Sequence, residues 1–265
     1  MAFNLPGACL ITGAASGIGR GTAMAIAQEG CSRIFLVDVD FDGLQKTKQQ
    51  IQEAIENARV EILKVDISNE RSVQEMVDKC VSIFGRIDYA LNIAGVVPQR
   101  TPIADVTVET YDKVVNINHH GTWLCHRAEI IQMMKQEPLE GHGNTRGSIV
   151  SVSSLAGINA SSGMSVYCAS KHSVIGFAKV DAQDYGPHGI RVNVICPGMI
   201  DTDLFRATSP PDAPAALTAI TPVRRLGNPS DVAWLAAFLC SVKSSFIHGA
   251  VIPCDGGLAL QRGVI

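Results

Sequence analysis

Ala8-Cys9-Leu10-Ile11-Thr12-Gly13-Ala14-Ala15-Ser16-Gly17-Ile18-Gly19 is a short apolar run that breaks into a glycine turn and leads into a helical stretch from Arg20 to Glu29. Strand, glycine turn and helix in that order is the context in which a backbone cradles a phosphate. Glycines let the main chain approach a pyrophosphate closely, and the free N–H groups at the helix start supply the positive end of the dipole. A tight β–α turn also needs glycine for steric reasons alone, so the next segment decides the reading. Arg33-Ile34-Phe35-Leu36-Val37 is a second buried strand and ends at Asp38, about 20 residues beyond the glycines, where a carboxylate can accept from both hydroxyls of an adenosine ribose.

The alternation continues along the chain. A helix from about Phe41 to Glu56 is followed by a strand from Val60 to Val65 and then Asp66-Ile67-Ser68, where Ser68 is placed to cap a helix from Asn69 to Phe84. A strand from Ile87 to Leu91 ends in Asn92-Ile93-Ala94-Gly95, and a helix from about Val108 to Met134 is interrupted in polarity by Asn116, Asn118, His119 and His120. After the polar loop from Gln136 to Arg146 come a strand from Ser148 to Val152 ending in Ser153-Ser154, a helix from Ser165 to Ala182, and a strand from Ile190 to Cys196 followed by Pro197-Gly198. Strands alternating with helices predict an α/β protein with a doubly wound, mostly parallel sheet covered on both faces. In such sheets ligands bind at the carboxyl ends of the strands, where these polar residues sit.

Composition limits the alternatives. The chain has 265 residues, 46% hydrophobic and 18% charged, enough for a large core in one domain. Its formal net charge is −3 and it has no run of Lys and Arg that would track a phosphate backbone, which argues against a nucleic-acid partner. Neither a basic leader with a long apolar segment nor a membrane-spanning run is found, so a soluble, cytoplasmic protein is expected. Eight scattered cysteines without a C-x-x-C suit reduced thiols, most of them core filler. His119 and His120 are adjacent and diverge on a helix, and no H-x-x-x-H occurs, so no metal is assigned.

The chemistry is suggested by Tyr167-Cys168-Ala169-Ser170-Lys171. Tyr and Lys four apart share one helix face, so an ammonium can sit close to a phenol and lower its pKa from about 10 toward neutrality. The pattern alone is common; its value lies in its company. A Ser-based hydrolase using Ser154 with Lys171 as base is a weaker reading, because no G-x-S-x-G elbow is present. A catalytically silent nucleotide-binding scaffold is a third.

Taken together, Thr12 to Gly19, Asp38, Asp66-Ile67, the N-x-A-G turn, Val152-Ser153-Ser154, the Y-x-x-x-K helix, Pro197 to Thr202 and Asp255-Gly256-Gly257 resemble the classical short-chain dehydrogenases/reductases over essentially the whole chain. Two departures stand out: Ile93 replaces the second asparagine of the family's N-N-A-G, and the loop from Lys135 to Gly147 is longer than usual, in a place expected to lie far from the chemistry. The resemblance implies Tyr167 as general acid/base, and Lys171 as the group that lowers its pKa and bonds the nicotinamide ribose. It further implies Ser154, rather than Ser153, on the reacting oxygen, and Asn118, rather than the nearby Asn116, holding a water for a proton relay to Lys171. It also implies a cofactor site of Gly13, Ser16, Gly17, Ile18, Gly19, Asp38, Asp66, Ile67, Asn92, Ala94, Gly95, Tyr167, Lys171, Pro197, Gly198, Ile200 and Thr202.

The expected function is NAD-dependent hydride transfer between a hydrophobic secondary alcohol and its ketone, with an NADPH-dependent carbonyl reductase as the alternative within the family. The resemblance places residues 203–222 over the site as a lid, and this segment supplies an apolar cover with no Arg or Lys except Arg206. Asn228-Pro229 starts a helix, Val232 to Cys240, that is unusually apolar, and the strand Ala250 to Cys254 is expected at the sheet edge. Relatives commonly bury both against a second subunit, which implies a homotetramer or, failing that, a dimer.

Overall fold

The computed structural model describes residues 3–260. Seven parallel strands form one sheet in the order β3-β2-β1-β4-β5-β6-β7: β1 (Ala8–Thr12), β2 (Arg33–Asp38), β3 (Arg59–Lys64), β4 (Tyr89–Asn92), β5 (Gly147–Val152), β6 (Ile190–Pro197) and β7 (Val251–Cys254). The chain moves outward from β1 to β3, then crosses back to β4 on the other side of β1. Connections on the two sides of that reversal leave in opposite directions and open a crevice above the strand ends.

Successive residues of β1 point to opposite faces, and each face has its own core. Cys9 and Ile11 pack with α1 (Gly17–Gln28), α2 (Phe41–Ala54) and α9 (Pro229–Cys240) through Ile26, Leu44, Ile51 and Val232. Ala8 and Leu10 face α3 (Glu70–Phe84), α5 (Thr122–Met133) and α6 (Ser165–Tyr185) through Met76, Leu124, Met133 and Ile175. Each such fully buried aliphatic side chain contributes roughly 1.5–3 kcal/mol through burial. Double burial explains why β1 and β5 read as continuous apolar or small runs without polar alternation.

Several boundaries differ from expectation for local reasons. Helix α1 starts at Gly17, not Arg20, because the extended backbone ends at Ser16 and the Arg20 N–H already donates to the Ser16 carbonyl at 3.0 Å. Asn69, not Ser68, caps α3: its Oδ1 accepts from the Ser72 N–H at 3.0 Å, whereas the Ser68 hydroxyl donates back to Asp66 at 2.7 Å. The expected helix from Val108 to Met134 is α4 (Val108–Val114) and α5 joined by a π-helical turn, Val115–Gly121. Gly121 lets that turn lie against Ile67, because a Cβ there would meet Ile67 Cγ1 at 2.8 Å. Residues 203–222 contain two short helices, α7 (Asp203–Thr208) and α8 (Ala213–Ile220).

Helix α9 begins at Pro229, where the Asp231 carboxylate accepts from the Asn228 N–H at 2.7 Å. Most of its apolar surface is covered within the same chain, by α1 and the sheet, and Trp234 is left exposed. β7 is an edge strand and pairs in parallel with β6. The long loop before β5 lies at the amino ends of the strands, tied to β4 and β6 through Gln136 and Gly189, and so opposite the crevice. Among the described residues no helix is long and apolar enough to cross a membrane, no cluster of three metal-ligating side chains occurs, and all eight cysteines are unpaired.

Candidate active site

A cavity of about 720 Å³ opens over the carboxyl ends of β1, β2, β3, β4, β5 and β6. One end is walled by the glycine turn, with Gly13, Ser16, Gly17, Ile18 and Gly19, and by Asp38, Asp66 and Ile67 beside it. Ala94 and Gly95 form the middle, and Ser154, Tyr167 and Lys171 the other end, across from Pro197, Gly198, Ile200 and Thr202. Seventeen positions read from the sequence thus come together from six strand ends and helix α6.

The glycine turn is shaped for close approach. Gly13 has φ +70° and a Cβ there would meet the Ala94 nitrogen at 2.7 Å, while a Cβ on Gly19 would lie 1.9 Å from the Gly13 carbonyl oxygen. The steric reason for glycine therefore holds, and the same bare backbone faces the cavity at the start of α1, where an anion is favoured. Asp38 stands beside it, its Oδ2 accepting from the Ala15 N–H at 3.1 Å and its Oδ1 from the Asp40 N–H at 3.0 Å. Each oxygen keeps a free lone pair, so the carboxylate can brace both turns and still accept from two hydroxyls. Anion cradle, diol acceptor and elongated cavity fit a dinucleotide.

Two assigned residues lie outside the cavity wall. Asn92 is buried below it and its Nδ2 donates to Glu129 Oε2 at 2.8 Å, so it shapes the turn rather than meeting a ligand. Asn118 is fully buried in the π-helical turn, with Oδ1 accepting from the Val96 N–H and Nδ2 donating to the Val96 carbonyl, both at 2.8 Å. Its side-chain amide is committed to holding the backbone after Gly95. Both Asn118 Oδ1 and Lys171 Nζ lie against Gly95, where a Cβ would come within 3.1 and 3.3 Å of them. Asn118 is thus next to Lys171, as the relay reading needs, but through a side chain already satisfied.

Helix α6 delivers Tyr167 and Lys171 to one face, with the Lys171 nitrogen 6.0 Å from the Tyr167 ring centre. Lys171 Nζ donates to the Val152 carbonyl at 2.9 Å, and burial pulls its pKa down to about 8. The expectation that the ammonium lowers the phenol does not hold in this pocket. The Tyr167 phenol is pushed up to about 12, first by removal from water, with the Ser154 hydroxyl pulling the other way. Desolvation outweighs a cation that points to a carbonyl instead of the phenol oxygen. Ser154 Oγ accepts from the Ala156 N–H at 3.1 Å, which fixes the oxygen and leaves its proton to donate. Ser153 and Ser170 support the helix from behind: Ser153 Oγ donates to the Lys171 carbonyl and Ser170 Oγ to that of Tyr167, both at 2.8 Å.

Reading the sequence missed the stretch Val96 to Arg100 and Met164, which complete the wall opposite α7 and α8. Arg100 reaches from it to Ser161 Oγ at 3.2 Å and the Ser162 carbonyl at 2.8 Å. The signal was present, since Val96-Val97-Pro98 is an apolar, strand-breaking run directly after a carboxyl strand end. From the 203–222 segment, Leu204, Phe205, Ala213, Ala216 and Leu217 line the cavity. Thr202 Oγ1 caps α7 by accepting from the Phe205 N–H at 3.1 Å.

Known proteins with the same arrangement are numerous. A family model described as enoyl-(acyl carrier protein) reductase matches residues 13–259. Levodione reductase of Leifsonia aquatica is 34% identical over 255 residues, covering 94% of this chain and 92% of that protein. The crystal structure of levodione reductase superposes with a TM-score of 0.91 at 33% identity, over 98% of this chain and all of that one. A short-chain dehydrogenase of Penicillium roqueforti is 33% identical over 273 residues, 98% of this chain and 99% of its own length. The structure of a putative NAD(P)-dependent gluconate 5-dehydrogenase from Beutenbergia cavernae, with bound NADP at low occupancy, has a TM-score of 0.87 at 28% identity, over 98% of this chain and 100% of that one. With sheet order, glycine turn and the Ser154, Tyr167 and Lys171 grouping already in place, these matches make the chain a member of the short-chain dehydrogenase/reductase family, oxidoreductases that act on CH–OH groups with a nicotinamide cofactor.

Proposed function

We propose that this protein interconverts a hydrophobic secondary alcohol and its ketone with NAD, using Tyr167 as general acid/base. The observation that carries the reading is the convergence of Tyr167, Ser154 and Lys171 on one wall of a cavity whose other end is the glycine turn and Asp38. When bound, the nicotinamide supplies the hydride donor or acceptor. Gly13 to Gly19 would hold the pyrophosphate, Asp38 the adenosine ribose, and Lys171 the nicotinamide ribose. Ser154 would donate to the reacting oxygen, and Tyr167 would give that oxygen a proton in reduction or take one in oxidation.

The substrate reading rests on the cover. Leu204, Phe205, Ala216 and Leu217 face Val97, Pro98 and Met164 across the cavity. Arg206, the cation of that segment, is turned away into a two-point bond with Asp201 at 2.8 and 2.9 Å. Residues 203–222 therefore serve as an apolar lid. The name of the levodione relative supports a ketone or its alcohol. Initial rates over a panel of cyclic or aryl secondary alcohols, their ketones and short hydroxy acids test this. Bulky apolar alcohols should turn over at least about tenfold faster than hydroxy acids, a difference of about 1.4 kcal/mol; the reverse order would overturn the lid reading. The NADP-bound structural relative favours the alternative of an NADPH-dependent reductase, and the same panel run with both cofactors separates the two. A silent scaffold would turn over none of them.

Assembly as a homotetramer is part of the proposal. Trp234 on α9, Phe246 before β7, and Trp123, Ile131 and Val180 on α5 and α6 are large apolar side chains left exposed, which supports burial against further subunits. Light scattering at micromolar protein is expected to report four subunits; a monomer would contradict this.

A further inference from the structure

Beneath the active-site turn lies a buried polar cluster that the proposed chemistry does not use. Asn92, at the end of β4, and Glu129, on α5, are 3% and 0% exposed and are joined by one bond, Asn92 Nδ2 to Glu129 Oε2 at 2.8 Å. The remaining oxygen of each, Asn92 Oδ1 and Glu129 Oε1, is buried with no partner. Two hydrogen-bonded side chains each leaving an acceptor unpaired is the pattern expected where the carboxyl carries a proton. A proton on Glu129 Oε1 that donated to Asn92 Oδ1, beside the amide N–H that donates to Oε2, would close a ring of two reciprocal hydrogen bonds and leave neither oxygen orphaned.

The surroundings favour that form. The groups facing Glu129 are Asn92 from β4, Cys80 from α3, and Cys125 and His126 from its own helix. Both thiols are pushed far up by burial and stay neutral, Cys80 to about 12. His126 is engaged elsewhere, with Nδ1 2.8 Å from Asp181 Oδ2 and Nε2 2.6 Å from Ser151 Oγ. Burial pushes the Glu129 carboxyl up, more than His126 and Asn92 pull it down. The Ser151, His126 and Asp181 chain has the order of a nucleophilic triad, but Ser151 is fully buried in β5 and is not on the cavity wall, so it has no access to a substrate.

We propose that Glu129 is carried as a neutral carboxylic acid closed with Asn92 in a reciprocal acid–amide pair, and that the pair is a positioning device for the Asn92-Ile93-Ala94-Gly95 turn. Thr12 Oγ1 holds the same turn from the other side, accepting from the Ile93 and Ala94 N–H groups at 3.1 and 3.2 Å. Ala94 and Gly95 line the cavity beside Lys171, so a turn anchored at both ends keeps that wall in place. The positioning half rests on the proposed cofactor site; the protonation half does not.

Infrared difference spectra between the unmutated protein and Glu129→Gln test protonation directly. A carboxylic-acid C=O band that shifts in D2O is expected at neutral pH in the unmutated protein and is lost in the variant; its absence overturns the pair. Melting against pH gives a second readout. Unfolded Glu ionises above about pH 4.3 while folded Glu129 keeps its proton, so folding takes up a proton and stability falls as pH rises. Gln can make both hydrogen bonds without a proton, so Glu129→Gln should gain on the unmutated protein as pH rises above the unfolded value of about 4.3. A constant gap, or one that moves against Gln, overturns the proposal.

For positioning, Glu129→Gln should bind NADH and NADPH as the unmutated protein does by fluorescence titration. Glu129→Leu, checked for native circular dichroism, should weaken binding about tenfold, the scale of one or two lost buried hydrogen bonds. Unchanged binding in the Leu variant overturns the positioning half. If the unmutated protein bound neither cofactor, the cofactor reading would fail while the infrared result still decided the pair.

Discussion

Tyr167→Phe is expected to lower turnover by about 10²–10⁴-fold, the range that positioned proton transfer contributes, with the fold and NADH affinity intact. Only a hydroxyl is removed, and the ring still lies beside the Lys171 ammonium. The cost falls on the proton step because Lys171, the titratable group one helical turn away, has its nitrogen held on the Val152 carbonyl. Lys171→Ala is expected to reduce turnover and cofactor affinity together, since that side chain faces Gly95 and the cavity. Steady-state kinetics with a separate NADH titration distinguishes the two. Near-normal turnover in Tyr167→Phe would show that the proton is handled elsewhere.

The pH dependence follows from the same pocket. Oxidation needs the phenolate, and with the phenol pushed up to about 12 its fraction grows through the whole neutral and alkaline range. The oxidation rate of the unmutated protein should therefore rise with pH and show no plateau near neutrality. Reduction needs the phenol, which remains protonated in that range, so the resting site is set to donate. Lys171, pulled down to about 8, loses its charge above that pH, and cofactor affinity should weaken there. A plateau of oxidation near pH 7 under saturating cofactor would show that the phenol is not held up in the working complex.

What was legible in the sequence was local. Glycine spacing, the i, i+4 relation of Tyr167 and Lys171, and strand ends followed by polar residues all sit within one turn or one element, where period and backbone sterics decide. The doubly wound, mostly parallel sheet followed from the alternation of strands and helices. What escaped depends on contacts between distant segments. Asn92 meets Glu129 across 37 residues, and Asn118 spends its amide on Val96 across 22. No spacing rule announces either pair. The choice of Asn69 over Ser68 as a cap depends on Asp66 capturing the serine hydroxyl. The Tyr167 pKa was misjudged because helix spacing brings an ammonium near a ring without saying where its nitrogen points.

The second large effect concerns cofactor choice. Asp38 accepts from Ala15 and Asp40 and retains a lone pair on each oxygen for ribose hydroxyls, whereas a 2′-phosphate would meet it as a like charge. Arg20 and Arg33, the arginines of the adjoining elements, are occupied. Arg20 is turned inward, its guanidinium donating to the Ala15 carbonyl and to Thr47 Oγ1. Arg33 is at the opposite end of β2, on the Pro6 and Phe84 carbonyls. These commitments support NAD. Val39, next in line on the cavity wall and 57% exposed, has room for a longer side chain. Asp38→Ala should narrow the preference for NAD but also loosen both turns, each lost hydrogen bond costing about 1 kcal/mol. Asp38→Asn, which keeps an acceptor and removes the charge, separates repulsion from bracing. Asp38→Ala with Val39→Arg supplies a guanidinium where the phosphate would lie and should reverse the preference, by about tenfold or more in kcat/KM for each charge-assisted bond formed. Equal kcat/KM of the unmutated protein for NAD and NADP would refute the assignment, because a carboxylate bonded to the ribose hydroxyls should discriminate against a 2′-phosphate.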